Sequence, residues 1–92
     1  MAKLIEPNGR ITEQLPANGT DFTLEELRRL VGCKYIEVAH LRTHDGAFLV
    51  VDEEGKLYGK ELNHEATFLY RAFHPNDYIV GNALLCKPGE VR

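Results

Sequence analysis

A His-Glu pair lies near the start of "NHEATFLYRAFH", residues 63–74, and on a helix this pair is the first half of the H-E-x-x-H zinc motif. The motif needs a second His four residues after the first, because only that spacing turns both imidazoles toward one ion. Phe68 occupies that position after His64. The zinc motif is therefore absent, and we predict a helix without a local metal site.

The other histidines could do chemistry only if the fold brought them together. His40 and His44 are also four residues apart, but we place them at a strand end and in a turn. Outside a helix, that spacing does not put two side chains on the same side. A small metal-dependent hydrolase would need at least three of His40, His44, His64 and His74, or nearby acids, to converge. That enzyme is kept as an alternative hypothesis.

Sequence signals for nucleophilic or nucleotide chemistry are missing. The chain has no Ser, Cys33 follows a predicted helix C-terminus where the dipole disfavours a thiolate, and Cys86 ends an apolar strand. Neither G-x-G-x-x-G nor G-x-x-x-x-G-K-[ST] occurs. We predict no catalytic residue, no metal and no cofactor, and therefore a protein that is not an enzyme.

Composition limits the partners. The 92 residues are 43 % hydrophobic and 27 % charged, which is typical of one small globular domain. A net charge of -3 without a long basic cluster argues against a nucleic-acid polymer as partner. The N-terminal sequence lacks a signal-peptide core, and no apolar run reaches the roughly 20 residues that span a bilayer. We therefore expect a cytoplasmic protein with no membrane partner.

The helix and strand signals predict an α+β domain over residues 1–87, followed by a polar tail at 88–92. Thr23 and Glu26 form a capping box, and Gly32 suits the end of that helix. The apolar run Phe48 to Val51 predicts a central strand covered on both faces or nearly so. The predicted order is β-β-α-β-β-β-α-β, with a mainly antiparallel sheet of five to six strands and both helices on one of its faces. We expect a homodimer, because such a sheet leaves edges that need covering.

The second helix carries the one local binding signal. At 100° per residue, Leu62, Ala66, Leu69 and Phe73 form the predicted buried stripe, with Tyr70 on its flank. The opposite side then carries four residues that we predict as a binding surface: His64, Thr67, Phe68 and Arg71. An exposed aromatic beside Arg is typical of recognition surfaces. The competing interpretation is that Phe68 is covered, or is a single exposed apolar residue of no consequence.

Four segments give the chain a family resemblance: Tyr-Ile-Glu-Val (35–38), Val-Val-Asp-Glu-Glu-Gly-Lys-Leu (50–57), Asn-x-x-Ala-Thr (63–67) and Ile-Val-Gly-Asn-Ala-Leu (79–84). Through them, residues 3–87 resemble domain of unknown function 3846, which is found among phages, plasmids and bacterial mobile elements. The resemblance implies a small accessory protein and transfers no catalytic residue. The segment "RAFHPND" resembles a local extension of the family pattern.

Our first functional hypothesis is a non-catalytic binding module of phage or mobile-element type. It would act in the cytoplasm of the bacterial host by capturing either a host protein or a small signalling nucleotide. The hydrolase is one alternative, and a structural or regulatory subunit of a phage-encoded complex is the other.

Overall fold

The computed structural model describes residues 2–91, and over this range the chain forms seven regular elements around one sheet. The elements are β1 (Ala2–Ile5), β2 (Ile11–Gln14), α1 (Leu24–Val31), β3 (Ile36–His40), β4 (Phe48–Asp52), α2 (His64–Arg71) and β5 (Ala83–Cys86). The five strands lie in the order β2-β1-β5-β4-β3, and every neighbouring pair is antiparallel. The predicted α+β class with a mainly antiparallel sheet is confirmed.

The two helices cover opposite faces of this sheet, so their predicted placement on one face is wrong. Val50 pairs with Leu84, and both pack in one buried cluster with Leu27 of α1. Leu49 is next to Val50 and points the other way, into a second cluster with Ala66 of α2. The reason is that β4 is a continuous apolar run, predicted from the sequence to be covered on both faces. One helix on each face provides this cover.

The helix α1 follows its sequence signals closely. The Thr23 side chain accepts from the Glu26 N–H, and the Glu26 carboxylate accepts from the Thr23 N–H at 2.9 Å, which completes the predicted capping box. Gly32 ends the helix with φ 75°, a left-handed conformation that favours glycine. Phe22 and Leu27 are both buried in the cluster that contains Val50 and Leu84, which we call the α1-side cluster.

The predicted order has a further strand directly before the second helix, and this strand does not form. Residues 53–59 make consecutive turns instead, with the Asp52 carboxylate accepting from the Glu54 N–H at 2.8 Å. The physical reason is that β4 already has β5 on one side and β3 on the other. The apolar side chains of Leu57 and Tyr58 consequently stay exposed.

The predicted polar tail, residues 88–92, is a folded segment in its described part. The Phe22 N–H donates to the Glu90 carbonyl at 2.7 Å, and Phe22 and Val91 form a parallel bridge. Val91 packs against the α1-side cluster. The domain therefore continues past residue 87 to at least Val91, while Arg92 lies outside the described residues.

No helix within residues 2–91 is both long enough and apolar enough to cross a membrane.

The helix α2 is fixed to the sheet by one buried amide, that of Asn63. Its side-chain oxygen accepts from the Ala66 N–H at 3.1 Å and caps the helix. Its amide nitrogen donates to the carbonyls of Ile5 at 2.9 Å and Gly81 at 2.8 Å. Asn63 is 0 % exposed, so water cannot replace these hydrogen bonds, and without Asn63 the Gly81 carbonyl would lose its side-chain donor.

We expect Asn63→Ala to lower the free energy of unfolding by about 3 kcal/mol, because it removes a helix cap and the amide donor of the buried Gly81 carbonyl. Urea unfolding measures the change. Asn76→Ala is the matched control, since Asn76 is exposed, and it should have almost no effect. Equal effects of the two substitutions would contradict this role of Asn63.

Candidate functional site

The four histidines do not converge. His64 is the first residue of α2, and His40 ends β3, where its carbonyl contacts the His74 ring nitrogen Nε2 at 3.3 Å. The His74 ring stacks on Tyr70 with centroids 4.3 Å apart. Within residues 2–91, no three His, Cys, Asp or Glu side chains gather to hold a metal ion. The hydrolase hypothesis therefore lacks the convergent ligands that it required.

Both cysteine thiols are held in their protonated form. Cys86 is buried in the α1-side cluster, and burial, with a smaller contribution from Glu90, raises its pKa to about 12. Cys33 is partly buried, and burial together with the Asp52 carboxylate raises its thiol pKa. A thiol with a raised pKa is a poor nucleophile near neutral pH. Both environments therefore disfavour a reactive thiolate.

The buried stripe of α2 is rotated relative to the predicted one. Leu62 precedes the helix and Phe73 follows it, and both are exposed, at 38 % and 37 %. The helix buries Ala66 as predicted, and also Thr67, which was predicted on the exposed side. Leu69 and Tyr70 are partly buried against the second cluster. The physical reason is that α2 has only eight residues and docks closely through small side chains next to its cap.

The predicted binding surface consists of His64, Thr67, Phe68 and Arg71. The structure exposes three of these four residues side by side on α2. Phe68 is 79 % exposed, as its helical angle predicts, and His64 and Arg71 are exposed beside it. Thr67 is only 7 % exposed, so its predicted place on that exposed side is corrected. Its hydroxyl accepts from the Ile79 N–H at 2.9 Å and donates to the Ile79 carbonyl at 3.2 Å. Thr67 therefore holds α2 against residues 78–80.

An open groove of about 600 Å³ runs along the flank of α2. One wall is α2 itself, and the other is formed by the turns at residues 56–60 and by the segment before β5. The groove falls within the size range of ordinary small-molecule sites. Nine residues line it: Lys56, Gly59, Lys60, Leu62, His64, Thr67, Arg71, Tyr78 and Val80.

The groove is lined by basic and aromatic groups that sequence reasoning had not placed together. It had identified His64 and Arg71 but missed Lys56, Lys60 and Tyr78. The available signal was the spacing of the two lysines, four residues apart in a Gly-containing segment next to α2. Their approach to the helix depends on an isolated bridge between Leu62 and Val80, which the local sequence does not indicate.

Lys60 is fixed in the groove wall by two partners. Its ammonium lies 2.7 Å from the Asp52 carboxylate and donates to the Gly32 carbonyl at 2.9 Å. The Asp52 side chain is 4 % exposed, so this charge is held at the boundary between core and groove. The pairing orients Lys60 and neutralises part of its charge.

Lys56 connects the groove to the loop after α2. Its ammonium pairs with the Asp77 carboxylate and lies 4.2 Å from the centroid of the Tyr78 ring. The hydrogen bond to Lys56 is the largest influence on Asp77 and lowers its carboxyl pKa, while the same bond raises the pKa of Lys56. The Tyr78 ring is thereby held against a cation at the edge of the groove.

Arg71 is oriented through one nitrogen only. Its Nε donates to the Asp77 carbonyl at 3.1 Å. Among residues 2–91, neither Arg71 nor His64 is in an ion pair, and no hydrogen bond uses the terminal amino groups of Arg71. The geometry therefore leaves the two terminal amino groups of the Arg71 guanidinium available for an anion.

Comparison with known proteins places the whole described domain in one family. The family described as Domain of unknown function (DUF3846) matches residues 2–91. The chain belongs to this family. No curated protein and no solved structure matches the DUF3846 chain.

Three of the four segments that carry the DUF3846 resemblance, residues 50–57, 63–67 and 79–84, contribute to the groove walls or hold α2. A side-chain Cβ at Gly55 would lie 2.9 Å from Val80 Cγ2, so glycine permits close packing there. Gly81 has φ 72°, and its carbonyl accepts the Asn63 amide. The Asn82 amide reaches the Leu30 carbonyl of α1 at 3.1 Å. These residues of the DUF3846 chain form the scaffold, while the basic side chains on it face the groove.

We expect Phe68→Ala to change the free energy of unfolding by less than about 0.5 kcal/mol, because Phe68 is 79 % exposed. Phe22→Ala is the control: Phe22 is 1 % exposed, and truncating a buried Phe costs about 3–5 kcal/mol. Thermal or urea unfolding compares the two. A loss of several kcal/mol in Phe68→Ala would show that Phe68 is part of the core.

The Lys56–Asp77 pair makes a pH-dependent prediction. Because the folded Asp77 pKa is lowered, the pair stabilises the protein above the ordinary Asp pKa and loses this contribution as the pH falls through the lowered value. We expect Lys56→Gln to raise the Asp77 pKa toward its ordinary value in an NMR titration of the carboxyl carbons. Lys87→Gln is the control, since Lys87 lies near Asp45, and it should leave the Asp77 titration unchanged.

Proposed function

We propose that this chain is a non-catalytic binding module that captures a small anionic ligand of the nucleotide type in the groove beside α2. One observation carries the proposal: Lys56, Lys60, His64 and Arg71 line the same groove, next to the aromatic ring of Tyr78. Basic groups recognise phosphate through charge-assisted hydrogen bonds, and an aromatic ring offers a stacking surface for a base.

Each basic residue has a distinct part in the proposal. Arg71 supplies the strongest contact, because its two free amino groups can bind two phosphate oxygens side by side. Lys56 and Lys60 are held in place by Asp77 and Asp52, so their ammonium groups lose little freedom when a ligand binds. His64 can donate a ring N–H to a further phosphate oxygen.

In the phage or mobile-element setting that the family resemblance implies, the module acts in the cytoplasm of the bacterial host. Capture of a signalling nucleotide would lower its free concentration without any chemical step. This role requires only affinity and a sufficient amount of protein. It agrees with the lack of convergent metal ligands within residues 2–91.

A host protein as the captured partner is a second candidate, favoured by Phe68. Its ring is 79 % exposed on α2, one helical turn from both His64 and Arg71. An aromatic residue beside Arg is a typical centre of a protein interface. Phe68 is absent from the residues that line the groove, so Phe68→Ala should weaken protein capture and leave nucleotide binding intact. The role of structural subunit in a phage-encoded complex stays a prediction that co-purification with a neighbouring gene product would test.

We expect at least one member of a panel of mono-, di-, triphosphate and cyclic nucleotides to raise the melting temperature, with affinity that falls as salt is added. Arg71→Gln should weaken the affinity about tenfold or more in calorimetry, because a hydrogen bond to a charged group contributes about 1.5–3 kcal/mol.

The matched control is Arg29→Gln, which removes the same charge from an exposed position on α1, a helix that contributes no residue to the groove lining. It should leave the affinity unchanged. A panel without any thermal shift, or an equal loss of affinity in both variants, would contradict nucleotide capture in this groove.

A further inference from the structure

The strand β3 is one edge of the sheet, and no other strand within residues 2–91 pairs with its outer side. An edge strand presents backbone N–H and C=O groups that can pair with a further strand. The outer side of β3 therefore differs from that of the inner strands β1, β5 and β4, each of which has two neighbours.

The register between β3 and β4 identifies the backbone groups that point outward. The Glu53 N–H donates to the Tyr35 carbonyl at 3.0 Å, and the Leu41 N–H donates to the Ala47 carbonyl at 3.3 Å. In an antiparallel pair such residues alternate, so the intervening odd-numbered residues Glu37 and Ala39 also bond inward, to β4. Three residues of β3 consequently point their backbone groups away from β4: Ile36, Val38 and His40.

One end of this edge is already covered. The His74 ring reaches the outward His40 carbonyl at 3.3 Å and is stacked on Tyr70. The backbone groups of Ile36 and Val38, at the start and the middle of the strand, have no such cover among the described residues. Val38 as a whole residue is 41 % exposed, which is high for an aliphatic residue in the middle of a strand.

We propose that β3 pairs with β3 of a second copy of this chain, antiparallel and with the two-fold axis at Val38. In this register Val38 faces Val38, and Ile36 faces His40 of the other copy, so both kinds of pair have their backbone groups on the outer side, while the intervening Glu37–Ala39 pairs do not need outward backbone groups. The His40 carbonyl has two lone pairs and can accept from both His74 and the other copy. The two sheets then become one continuous sheet.

The side chains of β3 favour a second copy in this register. With the axis at Val38, Glu37 faces Ala39, and the two Val38 side chains form an apolar cross-strand pair. A shift of the axis to Glu37 would place two carboxylates opposite each other, which is unfavourable. The strand is thus self-complementary in one register and self-repelling in the next.

The opposite edge, β2, fits such pairing less well. The Glu6 N–H donates to the Arg10 carbonyl at 2.9 Å, so the outward residues of β2 are Ile11 and Glu13. A two-fold axis at the outward residue Glu13 would place two carboxylates opposite each other, which is unfavourable. Thr12 and Gln14, which complete β2, are polar as well.

Proline substitution distinguishes pairing through β3 from pairing through β2. Proline removes an N–H and is tolerated on an edge strand where that N–H points outward. Sedimentation or light scattering should show a dimer for the wild type and for Glu13→Pro, and a monomer for Val38→Pro. Circular dichroism should show the same secondary structure in all three proteins. Raising the protein concentration should slow hydrogen exchange at the Ile36, Val38 and His40 amides in the wild type.

A wild type that stays monomeric at all concentrations, or a Val38→Pro variant that stays dimeric, would overturn the proposal. If Val38→Pro fails to fold, Val38→Lys replaces it, since it keeps the N–H and places two like charges at the axis; it should give a folded monomer, and a dimer would overturn the proposal. Loss of the dimer in Glu13→Pro alone would assign pairing to β2. These measurements use no nucleotide, so their outcome does not depend on whether the groove binds one.

Discussion

The side-chain amide of Asn63 is the contact on which the arrangement of this domain depends. It joins the start of α2 to the end of β1 and to the Gly81 carbonyl just before β5. These three segments are far apart in sequence, and a buried amide can satisfy them together because it has both donors and an acceptor. The basic groove follows from this contact, since Asn63 fixes where α2 begins and therefore where His64 and Arg71 lie.

A second constraint comes from the order of the strands. The strand β5 lies between β1 and β4, so three neighbouring strands are covered on both faces and one helix is needed for each face. The turns at residues 53–60 then cross from the end of β4 to the start of α2. Lys56 and Lys60 lie on this crossing, and their partners Asp77 and Asp52 tie it to the sheet and to the loop after α2.

Local signals in the sequence predicted those elements that local interactions determine. Thr23, Glu26 and Gly32 specify α1 through hydrogen bonds within a few residues, and the apolar run of β4 indicates a strand covered on both faces. The placement of α2 could not be predicted in the same way. It depends on Asn63, Thr67 and Gly81, whose partners are backbone groups brought near by the fold. The exposure of Phe68 followed from helix geometry alone, whereas the lysines of the groove required the tertiary structure.

The position of β5 also determines when the sheet can form during synthesis. Within residues 2–91, the hairpin of β1 and β2 is joined to the hairpin of β3 and β4 in the sheet by β5, which the ribosome makes after all of them. Until then, the apolar faces of β1 and β4 lack the strand that separates and covers them. Pairing between distant segments is slow and leaves such surfaces open to aggregation. The two halves of this sheet must therefore wait, as separate hairpins, for the last strand to leave the ribosome.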